Sequence, residues 1–375
     1  MVVLYNHSCL RYLISNDFQV VDFASCRIIH RASRFGWAGR PPGNGLRNAA
    51  HQARVLVGTA VRPSLFSETA YSATLSREYN MIEPEDVMKW WVVRRDQGFD
   101  FRQGDEVVSF ARAHKMKVRG HCLIWDHDNP KWLTEGRFTT WQLSELFHDH
   151  ITTEVQHYAG EVFAWDVVNE ALNEKGELKD SIWYNQPGIG LAGKGTAYIE
   201  QAFRWAHEAN PEALLFYNEA EAEGMNQKSD AVYAMAKDFR QSGVPIHGVG
   251  LQLHISLLDF DTDALSANIA RLTALGLQVH ITELDVSLPV DSDGRAKEED
   301  LRRQADVYRG IVGACVRNPG CTAIETWGFT DKYSWIGRHS HGTRGAALPF
   351  DRGYNPKPAY QAILDELNST SLQNH

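Results

Sequence analysis

The chain has 375 residues, of which 43% are hydrophobic and 23% charged, and it carries a formal net charge of −9. That size and composition suit one large domain with a sizeable core. The acidic balance argues against a nucleic-acid partner, which asks for a basic face. No apolar run approaches the ~18 residues that span a bilayer, so no membrane role is expected.

Residues 1–50 stand apart. Arg11, Arg27, Arg31, Arg34, Arg40 and Arg47 outweigh Asp17 and Asp22, giving 6 − 2 = +4. Strand-like runs at 2–5 and 18–23 precede the breaker cluster Pro41-Pro42-Gly43-Asn44-Gly45. This segment is expected to form an N-terminal extension, and its role is not readable. The first ten residues lack the charged start and apolar stretch of a secretory leader. The five cysteines, Cys9, Cys26, Cys122, Cys315 and Cys321, are an odd number, so at least one thiol stands outside any intramolecular pair.

From residue 51 the pattern becomes regular. Short β-branched or apolar runs lie at 54–59, 79–82, 118–124, 164–168, 214–217, 248–252, 278–282 and 323–327. Helical patterns lie between them, at 140–158, 195–208, 229–242, 261–275 and 297–318 among others. Eight strands, each followed by a helix, predict the α/β class and a (β/α)8 TIM barrel over 51–368, with a polar tail at 369–375. In such a barrel the functional groups gather at the C-terminal strand ends. Polar residues do gather there: Glu85 and Lys89, His121 and Trp125, Asn169 and Glu170, Asn218 and Glu219, Gln252 and His254, Glu283 and Asp285, Trp327 and Asp331.

Two of these strand ends carry the chemistry. Trp165-Asp166-Val167-Val168-Asn169-Glu170 ends one strand on a carboxyl, and Val279-His280-Ile281-Thr282-Glu283 ends another. They lie 283 − 170 = 113 residues apart, about three βα units, which predicts strands four and seven. Opposed carboxyls serve glycoside hydrolysis: one protonates the leaving oxygen, and the other attacks the anomeric carbon or activates water. The bland alternative is a pair of barrel-mouth ion-pair partners, and the neighbours argue against it. Asn169 can bond a sugar 2-hydroxyl, and His254 can orient Glu283, with Gln252 on the same strand face by the period of two. His148 and His150 are two apart on a helical pattern, point away from each other, and make a poor metal pair.

The stretches Trp165–Glu170, Thr282–Asp285, Gly120-His121, Gly250–His254, Trp327–Trp335 and Pro349-Phe350-Asp351 with Pro356-Lys357-Pro358-Ala359-Tyr360 resemble glycoside hydrolase family 10, the endo-β-1,4-xylanases, over about residues 52–365. The resemblance implies a retaining endo-1,4-β-xylanase that cuts internal bonds of xylan, with Glu170 as acid/base and Glu283 as nucleophile. It implies that Glu85, Lys89, His121, Trp125, Asn169, Gln252, His254, Trp327 and Trp335 line the glycone side of the cleft. The expected partner is xylan or a xylo-oligosaccharide, acted on by a monomer with no cofactor and no metal, because protonation and carboxylate attack suffice. A polymer substrate favours an extracellular setting, and the missing leader opposes it.

Three departures from the family pattern stand near the cleft. Asp86 follows Glu85 where the family has Asn, Asp126-His127-Asp128 replaces His-Ser-Gln, and Ala220 replaces an aromatic. They predict a more acidic cleft and shorter or decorated substrates. The alternatives are a barrel glycosidase for xylo-oligosaccharides or another β-glycan, and a carbohydrate-binding protein without turnover. Cys315 and Cys321 match a spacing that some secreted family members bridge; two reduced thiols are the alternative. Cys9 and Cys26 could form a second bridge, leaving Cys122 as a buried thiol.

Overall fold

The computed structural model describes residues 45–373 except Leu257. The strand runs expected at 2–5 and 18–23, and Cys9 and Cys26, lie outside the described residues. Among the described residues the first element is helix Leu46–Ala53, which buries Leu46, Ala49, Ala50 and Ala53 and so straddles the boundary expected at residue 51. Its first turn is tied down by the Leu46 N–H, which donates to Glu78 Oε2 at 3.0 Å.

Eight parallel strands follow: β1 Leu56–Val61, β2 Met81–Pro84, β3 Lys117–Gly120, β4 Val162–Asn169, β5 Leu214–Glu219, β6 Gly248–Leu251, β7 Gln278–Val286 and β8 Cys321–Thr326. Each pairs with the next, and β8 pairs with both β7 and β1, so the sheet closes on itself. The (β/α)8 barrel is therefore present. Closure leaves no unpaired edge, and both faces of each strand are covered, which is why the strands read as near-continuous buried runs. The longer helices between them are Thr140–His157, Ala197–Ala209, Gln227–Ser242, Thr262–Ala274 and Glu298–Val316. Local chemistry sets several of their ends. Thr139 with Gln142 and Asn226 with Ser229 form capping boxes, and Gly243 ends its helix at φ 72°. Among the described residues no helix is long and apolar enough to cross a membrane.

Two strand ends differ from the sequence expectation, and both differences shape the mouth. The run at 118–124 leaves the ladder at Gly120, where a Cβ would lie 2.2 Å from the Trp165 ring. Beyond it Leu123 and Ile124 still donate to Asp166 and Val167 carbonyls of β4. Strand β7 runs on to Val286 because the short strand His254–Ile255 pairs with Asp285 and Val286.

Cys315 and Cys321 form a disulfide that joins the end of helix Glu298–Val316 to the start of β8. Cys122 is a buried free thiol. The C-terminal helix Pro358–Gln373 packs against helices Leu46–Ala53 and Glu298–Val316, and Tyr360 donates to Glu78 at 3.0 Å. Asp331, one of the strand-end polar residues, turns away from the cleft. It accepts from Lys357 at 2.9 Å and from the Leu348 N–H at 2.9 Å, and so braces the loop after β8.

Candidate active site

The last residue of β4 is Asn169, and Glu170 follows it with φ 53°. A left-handed backbone costs a side-chain-bearing residue ~1–2 kcal/mol, and glycine, which would remove the cost, has no carboxyl to offer. The turn aims the Glu170 side chain across the barrel mouth. Its Oε1 accepts from Gln252 Nε2 at 2.8 Å, and its Oε2 from Trp125 Nε1 at 3.1 Å. Lys179 Nζ lies 4.0 Å from Oε2 and 3.9 Å from Asp126 Oδ2. Burial pushes the Glu170 carboxyl up, but the Gln252 hydrogen bond, the Lys179 charge and the Trp125 hydrogen bond outweigh it and hold it below the ordinary glutamate value.

Glu283 sits within β7 and is nearly buried. Its Oε1 accepts from Asn218 Nδ2 at 2.8 Å, and its Oε2 faces His254 Nε2 at 3.0 Å. The other ring nitrogen, Nδ1, faces Asp285 Oδ2 at 3.0 Å, and Trp335 Nε1 donates to the same oxygen at 2.8 Å. Burial opposes the charged imidazole, yet Asp285 and Glu283 together lift its pKa well above the usual histidine range. His254 is therefore an imidazolium that donates from both nitrogens.

The two carboxylates belong to one network. Asn218 Nδ2 also donates to Asn169 Oδ1 at 2.9 Å, and Gln252 Nε2 to the same oxygen at 3.2 Å. Thr282 Oγ1 donates to Asn218 Oδ1 at 2.8 Å, which orients that amide. Gly250 makes the arrangement possible, because a Cβ there would lie 2.1 Å from Asn218 Oδ1. The structure brings Gln252 and His254 to the site by a different route from the one expected. Strand β6 ends at Leu251, and Leu253 adopts φ 64°, so a backbone twist rather than strand alternation sends Gln252 to Glu170 and His254 to Glu283.

The remaining expected residues form one wall. Lys89 Nζ lies 4.7 Å from the Trp125 ring centroid and 5.8 Å from that of Trp327. Trp327 meets His121 and His254 edge-on, and Trp335 also meets His254 edge-on, with ring centroids 5.1 Å apart. Glu85 is placed beside them with both carboxylate oxygens taken by Arg62, from Nε and Nη2 at 2.6 Å each. Arg62, Glu85, Trp327, Tyr333 and Trp335 line an open pocket.

Sequence reasoning missed Arg62 and Lys179, because neither follows a period or a motif and each meets its partner only through the tertiary fold. It also missed the charged barrel interior. Arg119 is fully buried, with Glu83 Oε2 at 3.0 Å and Asp166 in still closer contact. His121, expected at the cleft wall, turns its Nδ1 down to Asp166 Oδ2 at 3.0 Å. Glu83, His121 and Asp166 bring donor atoms close enough to hold a cation, but the Arg119 guanidinium already supplies the positive charge there. Glu325 stands beside Glu83. Burial raises Glu325 from the usual 4.5 to about 8, against the opposing pull of Arg119 and of the Glu83 hydrogen bond, and burial raises Glu83 as well. Such a pair keeps protons at neutral pH and shares them by a hydrogen bond between the carboxyls.

The Glycosyl hydrolase family 10 model matches residues 45–366. Endo-1,4-beta-xylanase B from Thermotoga neapolitana is 39% identical over 324 residues, covering 85% of this chain and 90% of that protein. The crystal structure of xylanase 10B from Thermotoga maritima superposes with TM-score 0.82 at 38% identity, covering 88% of this chain and 99% of the other. That of xylanase 10B from Thermotoga petrophila in complex with xylobiose gives 0.83 at 37%, covering 89% and 100%.

Proposed function

The chain belongs to glycosyl hydrolase family 10 and is a retaining endo-1,4-β-xylanase, and we propose that Glu283 is its nucleophile and Glu170 its acid/base. The observation that supports this assignment is the single network joining the two carboxyls, with a cation in hydrogen-bond contact on Glu283 and neutral hydrogen-bond donors on Glu170, whose nearest cation, Lys179, stands 4.0 Å away. In the first step Glu283 attacks the anomeric carbon, and the protonated form of Glu170, a minority at neutral pH because its donors and Lys179 hold its pKa down, gives its proton to the departing glycosidic oxygen. In the second step Glu170, now a carboxylate, takes a proton from water, whose oxygen displaces Glu283 and leaves the configuration retained.

The neighbours suit these roles. Asn169 Oδ1 already accepts two hydrogen bonds and its Nδ2 donates to Glu170 Oε1 at 3.4 Å, so the second N–H of that amide is the donor left for the sugar 2-hydroxyl. Trp327 and Trp335 wall the sugar beside the cut, and a close aromatic wall rejects the extra CH₂OH of a glucan sterically. Lys89, His121 and Trp125 complete the glycone side with Gln252, His254 and Glu85. The Arg62 clamp on Glu85 leaves that carboxylate less free to accept sugar hydroxyls, which favours a second reading in which short or decorated xylo-oligosaccharides are turned over faster than polymer.

The test is purified protein on arabinoxylan and carboxymethylcellulose, with Glu170→Ala and Glu283→Ala beside it. Xylo-oligosaccharide release by the wild type alone, with the product anomer retained by NMR, is the expected outcome. Full activity in Glu283→Ala would refute the nucleophile assignment. Relative rates on polymer and on aryl xylobiosides separate the two substrate readings.

A further inference from the structure

Three consecutive backbone N–H groups beyond the end of β4 bond to one strand, β5. The Glu170 N–H donates to the Asn218 carbonyl at 2.9 Å. The Ala171 N–H donates to the Tyr217 hydroxyl at 3.1 Å, and the Leu172 N–H to Glu219 Oε2 at 3.2 Å. The Tyr217 hydroxyl in turn donates to Glu219 Oε2 at 2.5 Å. Lys228 Nζ holds Glu219 Oε1 at 2.9 Å, and the Ala220 N–H donates to that oxygen at 3.2 Å. Tyr217 and Glu219 are fully buried and Lys228 nearly so. None of these three touches the cleft side of the carboxyl pair, so the proposed mechanism leaves them without a task.

The residue immediately before this clamp is Glu170, at φ 53°. A side-chain-bearing residue stays in that region only where its surroundings hold it. The clamp fixes the two residues after the turn, and hence the direction in which the Glu170 carboxyl leaves the backbone. We propose that Tyr217, Glu219 and Lys228 are positioning residues for proton delivery: they hold the left-handed turn that aims Glu170 at the glycosidic oxygen. The inference rests on Glu170 being the acid/base.

The chemistry supplies a readout that a purely structural role would not move. Protonation matters for a poor leaving group and hardly at all for an activated phenol that departs as an anion. The bond-breaking step is reported by kcat/KM. Glu219→Gln is isosteric, but Lys228 draws the amide oxygen toward itself, which turns the NH₂ against the Leu172 N–H. Tyr217→Phe removes the acceptor of the Ala171 N–H and is the milder change.

The experiment measures kcat/KM for aryl β-xylobiosides, from 2,4-dinitrophenyl to weakly acidic phenols and xylotriose, in wild type, Glu219→Gln, Tyr217→Phe and Glu170→Ala. General acid catalysis is worth about 10²–10⁴-fold. A misaimed acid should lose about 10–100-fold of that on poor leaving groups and less than about threefold on the dinitrophenyl substrate. The leaving-group slope of both clamp variants then steepens toward that of Glu170→Ala. If Glu219→Gln fails to fold, Tyr217→Phe decides. Equal slowing on all substrates, or no change, overturns the positioning role while Glu170→Ala remains steep. A flat profile in Glu170→Ala itself overturns the acid/base assignment instead.

Discussion

The paired acids inside the barrel make a quantitative claim about stability and pH. Glu325 is fully buried, and Gly58 of β1 leaves it room, since a Cβ there would lie 3.0 Å from Glu325 Oε1. Its pKa is raised from the usual 4.5 to about 8, by burial first, with the nearby carboxylates of Asp166 and Glu283 adding to the rise and Arg119 opposing it. The folded state thus holds a proton that the unfolded chain gives up near pH 4.5, so stability is fully present below that value and is lost as pH rises to about 8. The shift of about 8 − 4.5 = 3.5 units, at 1.36 kcal/mol each, is worth about 5 kcal/mol, with most of the loss between pH 5 and pH 8. A folded unit of roughly 330 residues unfolds with about 0.7 kcal/mol/K of entropy, so the midpoint should fall by ~7 °C over that span from this one group. Glu325→Gln keeps the shape and a hydrogen-bonding partner for Glu83 but carries no proton to lose. Thermal unfolding followed by circular dichroism at one scan rate, from pH 5 to pH 9, should show the wild-type midpoint falling more steeply than that of the variant. Wild type and variant tracking within about 1 °C at every pH would refute the shared-proton account, because the titrating groups outside the Glu83–Glu325 pair are common to both.

Three further outcomes are expected. Replacing Cys315 and Cys321 together with alanine opens a bridge of sequence separation 6; loop-closure entropy puts the loss at about 2 kcal/mol, hence ~3 °C in the melting midpoint, and an unchanged midpoint would show that the bridge constrains nothing. Lys179→Met removes a charge that lowers the Glu170 pKa, so the acid form persists to higher pH and the alkaline limb of kcat/KM moves up; a limb that stays or moves down contradicts the assignment. His254→Gln loses the cationic donor between Glu283 and Asp285 and should cost about 10²–10³-fold in kcat/KM, the scale for one preorganised donor in a buried site; activity within threefold of wild type would exclude that role.

The alternation of short buried runs with amphipathic stretches determined the barrel from the sequence, because β4 and β7 carry their burial pattern in their own residues. The same alternation placed Glu170 and Glu283 at two strand ends about three units apart, and the barrel rule turned that spacing into opposed carboxyls. Trp327, Trp335, Lys89 and Trp125 were legible through resemblance and stand together in the structure. What the chain alone did not disclose depends on closure. Arg62 reaches Glu85 across 23 residues, Lys179 approaches Asp126 and Glu170 from a loop, and Glu325 meets Glu83 only because β8 returns to β1. The clamp of Tyr217 and Glu219 on the turn after Glu170 spans 46 and 47 residues. Periodicity reports how a residue relates to its own strand or helix, whereas a hydrogen bond between distant strands is set by register and tilt. Those are properties of the closed sheet, and the tertiary structure alone decided them.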